Sequence, residues 1–462
     1  MGHYTFEMNN EYYLYDYNIG VIVKVPQHIY CLINKIDNGD INFSTNEMKI
    51  INSFKSCGLL HDLNFESDII RVNSETAYLS FAPTYSCNFR CSYCFGKYGN
   101  TYKGEQKKFT SESLTEMLDF FFNLAFPTAT KYRIDFVSGG EPLLGFDIVQ
   151  KTIKYAEEFY IRTKKQVNVW LCTNGSLLND NIIEYLNYHN VSIGISIDGV
   201  KEKNDANRID ENGCGTYERI LNGIKVVQEN KTISKKTKNI WGLCTATNEN
   251  CDFIEILSHM KSLGFKNVQI RLIRSAISYD VNKIKVQYTR LANELMNLFS
   301  QSDLETIKMI LNDNDQFGKV LKRIILDELL IRRCNAGINK ITICPDGTIF
   351  PCDSLVGFTN SCLGNIHKKG LDRELYKDMT VSDLSNCKKC NVKYLCGGDC
   401  FYNSLMKTGS QLTVDPEYCE IQKHIINLAI KLRYNMQISN EKLFNILLTE
   451  VKRKNDYAEI FG

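Results

Sequence analysis

The stretch TYSCNFRCSYCFGKYG, residues 84–99, decides how this chain is read. It sets Cys87, Cys91 and Cys94 within eight residues, with Tyr93 and Phe95 on either side of the last thiol. Three thiolates so close can hold three corners of an iron–sulfur cube and leave the fourth iron without a protein ligand. A zinc knuckle completed by a distant fourth Cys is the other use of such a run.

Outward from that stretch, strands and helices alternate over about 75–283. Apolar runs at Tyr78–Ala82, Arg133–Val137, Val167–Thr173, Val191–Ile197, Ile240–Thr245 and Val268–Ile273 read as strands. Amphipathic segments such as Ser111–Leu124 and Phe146–Tyr160 read as helices between them. Six repeats predict a parallel α/β fold, either a barrel or a partial (β/α)6 TIM barrel, whose chemistry gathers at the carboxyl ends of its strands. The Cys run follows the first strand, SGGEP (Ser138–Pro142) the second, LCTNGSLL (Leu171–Leu178) ends the third, and SIGISIDG (Ser192–Gly199) ends the fourth.

These four motifs, in this order, resemble the radical S-adenosylmethionine (SAM) superfamily. The resemblance implies a [4Fe-4S] cluster on Cys87, Cys91 and Cys94, with SAM chelating its open iron. It implies SAM contacts from Tyr93, Phe95, Gly139, Gly140 and Glu141, with the Glu141 carboxylate near the methionyl ammonium. Thr173, Ser196 and Asp198 are expected near the ribose or carboxylate. DGVKEKNDANR (198–208) is similar to the family's Asp-Gly…His-Asp-x-x-Arg run, although Asn204 stands where His is usual. Arg208 matches and suits the SAM carboxylate, a geometry Arg serves well; a surface salt bridge is its other reading. The reaction implied is reductive cleavage of SAM to a 5′-deoxyadenosyl radical that abstracts a substrate hydrogen.

The chain has 18 Cys against 7 His, about 4 per cent Cys in 462 residues. That is below the density of a disulfide scaffold, and about three domains are expected at this length. The late cysteines are spaced. Cys334 precedes Gly347 and Cys352; Cys387, Cys390, Cys396 and Cys400 follow, then Cys419. This pattern resembles the SPASM extension of peptide-modifying radical SAM enzymes. By resemblance, Cys387, Cys390, Cys396 and Cys419 hold an outer auxiliary cluster, and Cys334, Cys352 and Cys400 an inner one. That makes three [4Fe-4S] clusters in all. The inner fourth site is open or filled by Cys344 or Cys362; Cys344 also reads as a core residue. Asp353, beside Cys352, is a candidate general base or a turn residue. The single cysteines Cys31, Cys57, Cys172, Cys214, Cys244 and Cys251 read as buried apolar side chains, the usual state of free Cys.

Segment 1–74 reads as short strands turning at Asn9-Asn10, followed by helices over 26–36 and 44–57. The order is winged-helix-like. Residues 1–75 carry five Lys or Arg against ten Asp or Glu, and a nucleic-acid-binding wing should be basic. The module resembles the leader-recognition element of ribosomal-peptide maturases, which captures a precursor peptide's leader as an added strand. The full set of domains is a recognition element (1–74), a radical SAM core (75–283), a helical bridge (284–333), SPASM (334–425) and C-terminal helices (426–462). It is most similar to maturases that form thioether bridges in Cys-rich precursor peptides. Formylglycine formation, as in anaerobic sulfatase maturases, and carbon–carbon cross-linking are the alternatives. Reduced flavodoxin or ferredoxin is the implied electron donor. A net charge of +2 and the lack of a long apolar run point to no nucleic acid, no membrane and a cytoplasmic location.

Overall fold

The computed structural model describes residues 2–61, 75–97, 101–137, 139–230, 240–368, 371–377 and 379–461. Ser138, Tyr98, Gly99 and 62–74 therefore lie outside the described residues. Three strands open the chain: β1 (His3–Met8), β2 (Glu11–Asp16) and β3 (Val21–Val25), paired antiparallel in that order. Asn9 and Asn10 both adopt positive φ, 52° and 58°, the two-residue turn that Asn tolerates and that matches strand twist. Helices Gln27–Asp37 and Thr45–Ser56 follow. Ser44 and Glu47 form a capping box at the second, each side chain accepting from the other's backbone N–H.

The core sheet carries β4 (Thr76–Phe81), β5 (Lys131–Phe136), β6 (Gln166–Thr173), β7 (Ser192–Ser196), β8 (Trp241–Ala246) and β9 (Asn267–Leu272), all parallel. Each expected strand is present within two residues at either end. The expected helix at Ser111–Leu124 is α-helical only to Asp119 and continues as a π-turn over Phe120–Ala125.

The Cys-rich segment completes this sheet, a pairing that local periodicity does not report. β10 (Lys340–Ile343) pairs parallel to β4, and β11 (Thr348–Phe350) and β12 (Gly364–Asn365) extend it antiparallel. The order is β12-β11-β10-β4-β5-β6-β7-β8-β9. Among the described strands no pairing joins β9 back to the other edge, so the sheet is open. It is nonetheless curled. Laid flat, β10 and β9 would stand about 29 Å apart, six spacings of roughly 4.8 Å, yet Lys340 of β10 and Arg271 of β9 line one cavity of about 230 Å³.

Strand alternation sorts the two faces. Leu79, Ile134, Phe136, Leu171, Ile193 and Ile195 are buried toward the helices. The concave face carries the Arg133–Asp135 pair (2.6 Å), with Arg133 over the Trp170 ring and Trp170 edge-on to Trp241 at 5.4 Å. Gly194 on β7 makes that approach possible, because a Cβ there would lie 2.6 Å from Trp170 Cζ2.

Helices Val281–Ser300, Leu304–Ile310 and Gly318–Leu326 lead to the Cys-rich region, and Pro416–Ser439 and Glu441–Phe461 close the chain. The expected boundaries at 283/284 and 425/426 each fall inside a continuous helix. The amino-terminal sheet docks on this assembly. Tyr17 Oη donates to Asn391 O at 3.1 Å, Tyr13 packs edge-on to Tyr434, and Arg433 bonds Asp327 at 2.7 Å and Gly20 O at 3.1 Å.

Candidate functional site

The loop after β4 carries Cys87, Cys91 and Cys94, all partly exposed thiols. Backbone bonds tie it to the 207–209 loop, Arg90 N to Ile209 O at 2.6 Å and Ser92 N to Asn207 O at 2.9 Å. Arg90 Nη1 also donates to Cys87 O and Phe89 O. The Gly-Gly-Glu turn clasps the same loop, with Glu141 N donating to Ser86 O at 2.8 Å. Gly139 has φ 108°, and a Cβ on Gly140 would fall 2.2 Å from Thr84 O and 2.5 Å from Ser86 O, so only glycine fits. Burial pushes the Cys87 thiol up to about 11, with Glu141, Cys91 and Cys94 adding to the effect. The three sulfurs thus share one electrostatic environment.

Behind them lies a buried chain of polar groups. Arg208 Nη1 donates to Tyr93 Oη at 2.6 Å, and Tyr93 Oη donates to Asp198 Oδ2 at 2.5 Å. Asp198 Oδ1 accepts from Thr245 N at 3.0 Å. Asn204, which replaces the usual His, accepts from Asp198 N and fixes the turn. Arg208 is 7 % exposed and its Nε has no hydrogen-bond partner, so a buried cationic donor remains open beside Cys91. An anionic ligand group fits it.

Glu141 is buried and accepts from Leu143 N (3.1 Å), Thr173 Oγ1 (2.6 Å) and Asn174 N (2.8 Å). Three of its roughly four acceptor positions are in use. The Thr173 hydroxyl donates to Glu141 and accepts from Gly175 N at 3.0 Å, so it braces the motif loops. Ser196 faces the concave side, 3.9 Å from Cys172. Cys172, read as a buried core residue, is therefore partly exposed on that face, because β6 alternation puts it opposite Leu171. Cys244 and Cys251 are buried, whereas Cys31, Cys57 and Cys214 are exposed.

The late cysteines fall into two groups. Cys352 is raised by burial first, then by Asp353, Cys400 and Cys334. Cys419 is pushed up to about 12 by burial, then by Cys396, Cys387, Asp399 and Cys390. Cys344 belongs to neither. It is fully buried, 3.3 Å from Tyr85 Oη, and its thiol neighbour is Cys362. Among the described residues no three His, Cys, Asp or Glu side chains close on a single-ion position.

Cys334, Cys352 and Cys400 line the cavity of about 230 Å³, with Asp353 beside them. Asp353 Oδ1 lies 3.6 Å from Lys340 Nζ. Tyr402 stands between this group and the first. Its ring is 5.8 Å from Phe95, and its hydroxyl feels Cys400 and Cys94. Sequence reasoning missed Tyr402, Arg271 and Arg274; the last two sit at the end of β9, where the strand-end rule pointed.

Residues 81–268 match the family model described as the Radical SAM superfamily. A cysteine-type anaerobic sulfatase-maturating enzyme of Clostridium novyi is 26% identical over 344 residues, 69% of this chain and 86% of that protein. The radical SAM cyclopropyl synthase TigE of Paramaledivibacter caminithermalis is 21% identical, covering 88% of this chain and 86% of its own. A solved structure, native anSMEcpe with bound AdoMet and Cp18Cys peptide, superposes with TM-score 0.62 at 20% identity, over 80% of this chain and 99% of that one. That likeness is one of fold.

Proposed function

Starting from the chain's membership of the radical SAM superfamily, which makes it an enzyme, we propose that it matures a ribosomal precursor peptide by forming thioether bonds between Cys thiols and peptide carbons. The observation that carries this reading is the cavity lined by Cys334, Cys352 and Cys400, joined to the first thiol loop through Tyr402 and Phe95. In this reading Cys87, Cys91 and Cys94 hold the SAM cluster. Cys387, Cys390, Cys396 and Cys419 hold an outer cluster, while Cys334, Cys352 and Cys400 hold an inner one open on the side of the peptide. SAM with its reduced cluster supplies a radical able to take hydrogen from an unactivated carbon.

The chain's own residues do the rest. Gly139 and Gly140 let backbone approach SAM, Glu141 braces the loop that receives it, and Arg208 Nε offers the unpartnered donor for its carboxylate. Tyr93 and Asp198 hold Arg208 in place. The curled sheet shields the site from water, which strengthens each of these interactions. The winged-helix-like segment takes the leader along an edge of its three-stranded sheet, in a cytoplasmic enzyme reduced by flavodoxin or ferredoxin.

Formylglycine formation is the second reading, favoured by Asp353 held near Lys340 at the cavity wall and by the sulfatase-maturating relatives. Mass spectrometry of the precursor peptide encoded nearby, after anaerobic reaction with SAM and reductant, separates them. A thioether gives loss of two hydrogens with sulfur retained, whereas formylglycine from Cys gives loss of sulfur and gain of oxygen. An unchanged peptide, with deoxyadenosine still formed, would falsify both.

A further inference from the structure

The cavity is lined by five cationic side chains against four carboxylates and three thiols, and the cations are unevenly answered. Arg271 is pinned to Asn314, Nε to the carbonyl at 2.6 Å and Nη2 to Oδ1 at 2.7 Å, a neutral partner for a charged group. Among the described residues Arg274 has a single hydrogen bond, Nη1 to Cys400 Sγ at 3.7 Å. Lys319, in the first turn of helix Gly318–Leu326, lines the same cavity and makes no hydrogen bond or ion pair with any described residue. Burial opposes its charge most, then Arg323 and Arg333; Asp313 acts the other way but is already paired with Lys322 at 2.8 Å.

The cavity's other carboxylates are also engaged. Asp315 accepts from Ile270 N and Gly318 N, Asp399 from Asn403 and Cys400 N, and Asp353 lies by Lys340. Like charges gathered in a half-buried cavity repel one another unless a counter-ion joins them. Inner thiolates answer Arg274, but none of the groups acting most strongly on Lys319 is a thiol. Nor is the carboxylate of SAM the missing anion, because Cys87, Cys91, Cys94, Glu141 and Arg208 are all absent from this lining.

We propose that Lys319 and Arg271 form a carboxylate-recognition subsite, which takes an Asp or Glu side chain of the peptide and so directs modification to acidic segments. The proposal rests on the peptide-maturase reading and names its substrate class. A carboxylate fits the free edge of Arg271 while its charge meets the Lys319 ammonium.

The test uses the anaerobically reconstituted holoenzyme and three synthetic peptides, N-acetyl-Cys-Ala-Asp-Ala-amide and its Glu and Asn analogues, with succinate as a small-anion probe. Dissociation constants are read by calorimetry. Asp and Glu peptides should bind at least about tenfold more tightly than the Asn peptide, the size of one charge-assisted hydrogen bond. Lys319→Met should bring the ratio within about twofold, Lys319→Arg should keep it, and both should retain wild-type iron and sulfide. Equal affinity for Asp and Asn peptides in the wild type, no binding of either, or a preference that survives Lys319→Met each overturns the proposal. Should Lys319→Met not fold, the wild-type ratio and Lys319→Arg still decide. Succinate binding without acidic-peptide binding overturns the peptide source. The maturase reading fails separately: a retained acidic preference in peptides that undergo no mass change refutes that reading alone.

Discussion

Replacing Tyr93 by Phe removes one oxygen and leaves two buried charges without their link. In the native chain that oxygen accepts from Arg208 Nη1 at 2.6 Å and donates to Asp198 Oδ2 at 2.5 Å. Asp198 is 0 % exposed and Arg208 7 %, so water does not replace the lost partner. A buried group left unsatisfied costs about 1–3 kcal/mol, and charged groups more. Two such groups set an upper range of about 2–6 kcal/mol. Their opposite charges let them close part of the gap, which brings the expected loss to about 2–3 kcal/mol. For a cooperative unit of 150–250 residues, one kcal/mol moves the midpoint by about 2–4 °C, so a drop of roughly 5–10 °C is expected. The chain has only two tryptophans, Trp170 and Trp241, and both lie on the concave face of this sheet. Their fluorescence during anaerobic heating therefore follows the core and not the flanking segments. A midpoint within about 2 °C of wild type would show that the Arg208–Tyr93–Asp198 chain carries no such load. The Tyr93→Phe/Asp198→Asn pair should lose less than the sum of the single changes, since both act on one network.

Further outcomes follow from the same geometry. Gly140→Ala places a methyl 2.2 Å from Thr84 O, and equilibrium dialysis should find SAM binding weakened by more than about tenfold; near-native affinity would contradict the packing. Replacing Cys334, Cys352 and Cys400 together by Ser should remove about four irons per chain, while the same change at Cys344 should remove none, as iron analysis of anaerobic protein will show. Burial pushes Asp315 up to about 7, above the ordinary carboxylate value of about 3.9. The folded state then holds more protons than the unfolded one across that window, so stability should fall as pH rises from about 4 to 7. Asp315→Asn should flatten that slope in denaturant titrations. Arg433→Met removes the bonds to Asp327 and Gly20, and hydrogen exchange should rise across 2–61 while the iron content holds.

What the sequence disclosed was local. The six core strands were legible because each is a short apolar run, the first four with a motif at the carboxyl end, and the Asn9-Asn10 hairpin because two consecutive left-handed residues need special side chains. Pairing of β10 with β4 was not legible. It joins residues more than 250 apart, and period-two alternation reports which face is buried but not which neighbour is chosen. The same limit explains the cysteines. Cys31, Cys57 and Cys214 are exposed because residue type sets a tendency to be buried, not a direction. Thr173 was placed by its motif, yet only the Glu141 contact shows that its hydroxyl turns inward. The cation wall of the cavity is drawn from β9, the 313–319 turn and the Cys-rich segment, which no window of sequence brings together.

The pairing of β10 with β4 also sets a clock on synthesis. β4 ends at Phe81 and its partner begins at Lys340, so about 259 residues must be added before that edge is covered. At roughly 5–20 residues per second, the nascent core waits about 13–52 s with an unpaired, apolar strand beside the loop of Cys87, Cys91 and Cys94. Unpaired edges recruit other chains, and bare thiols in that interval meet oxidants before metal. A chain cut before Lys340 stays in this state permanently, so the core should be recoverable in soluble form only with its carboxyl-terminal quarter attached.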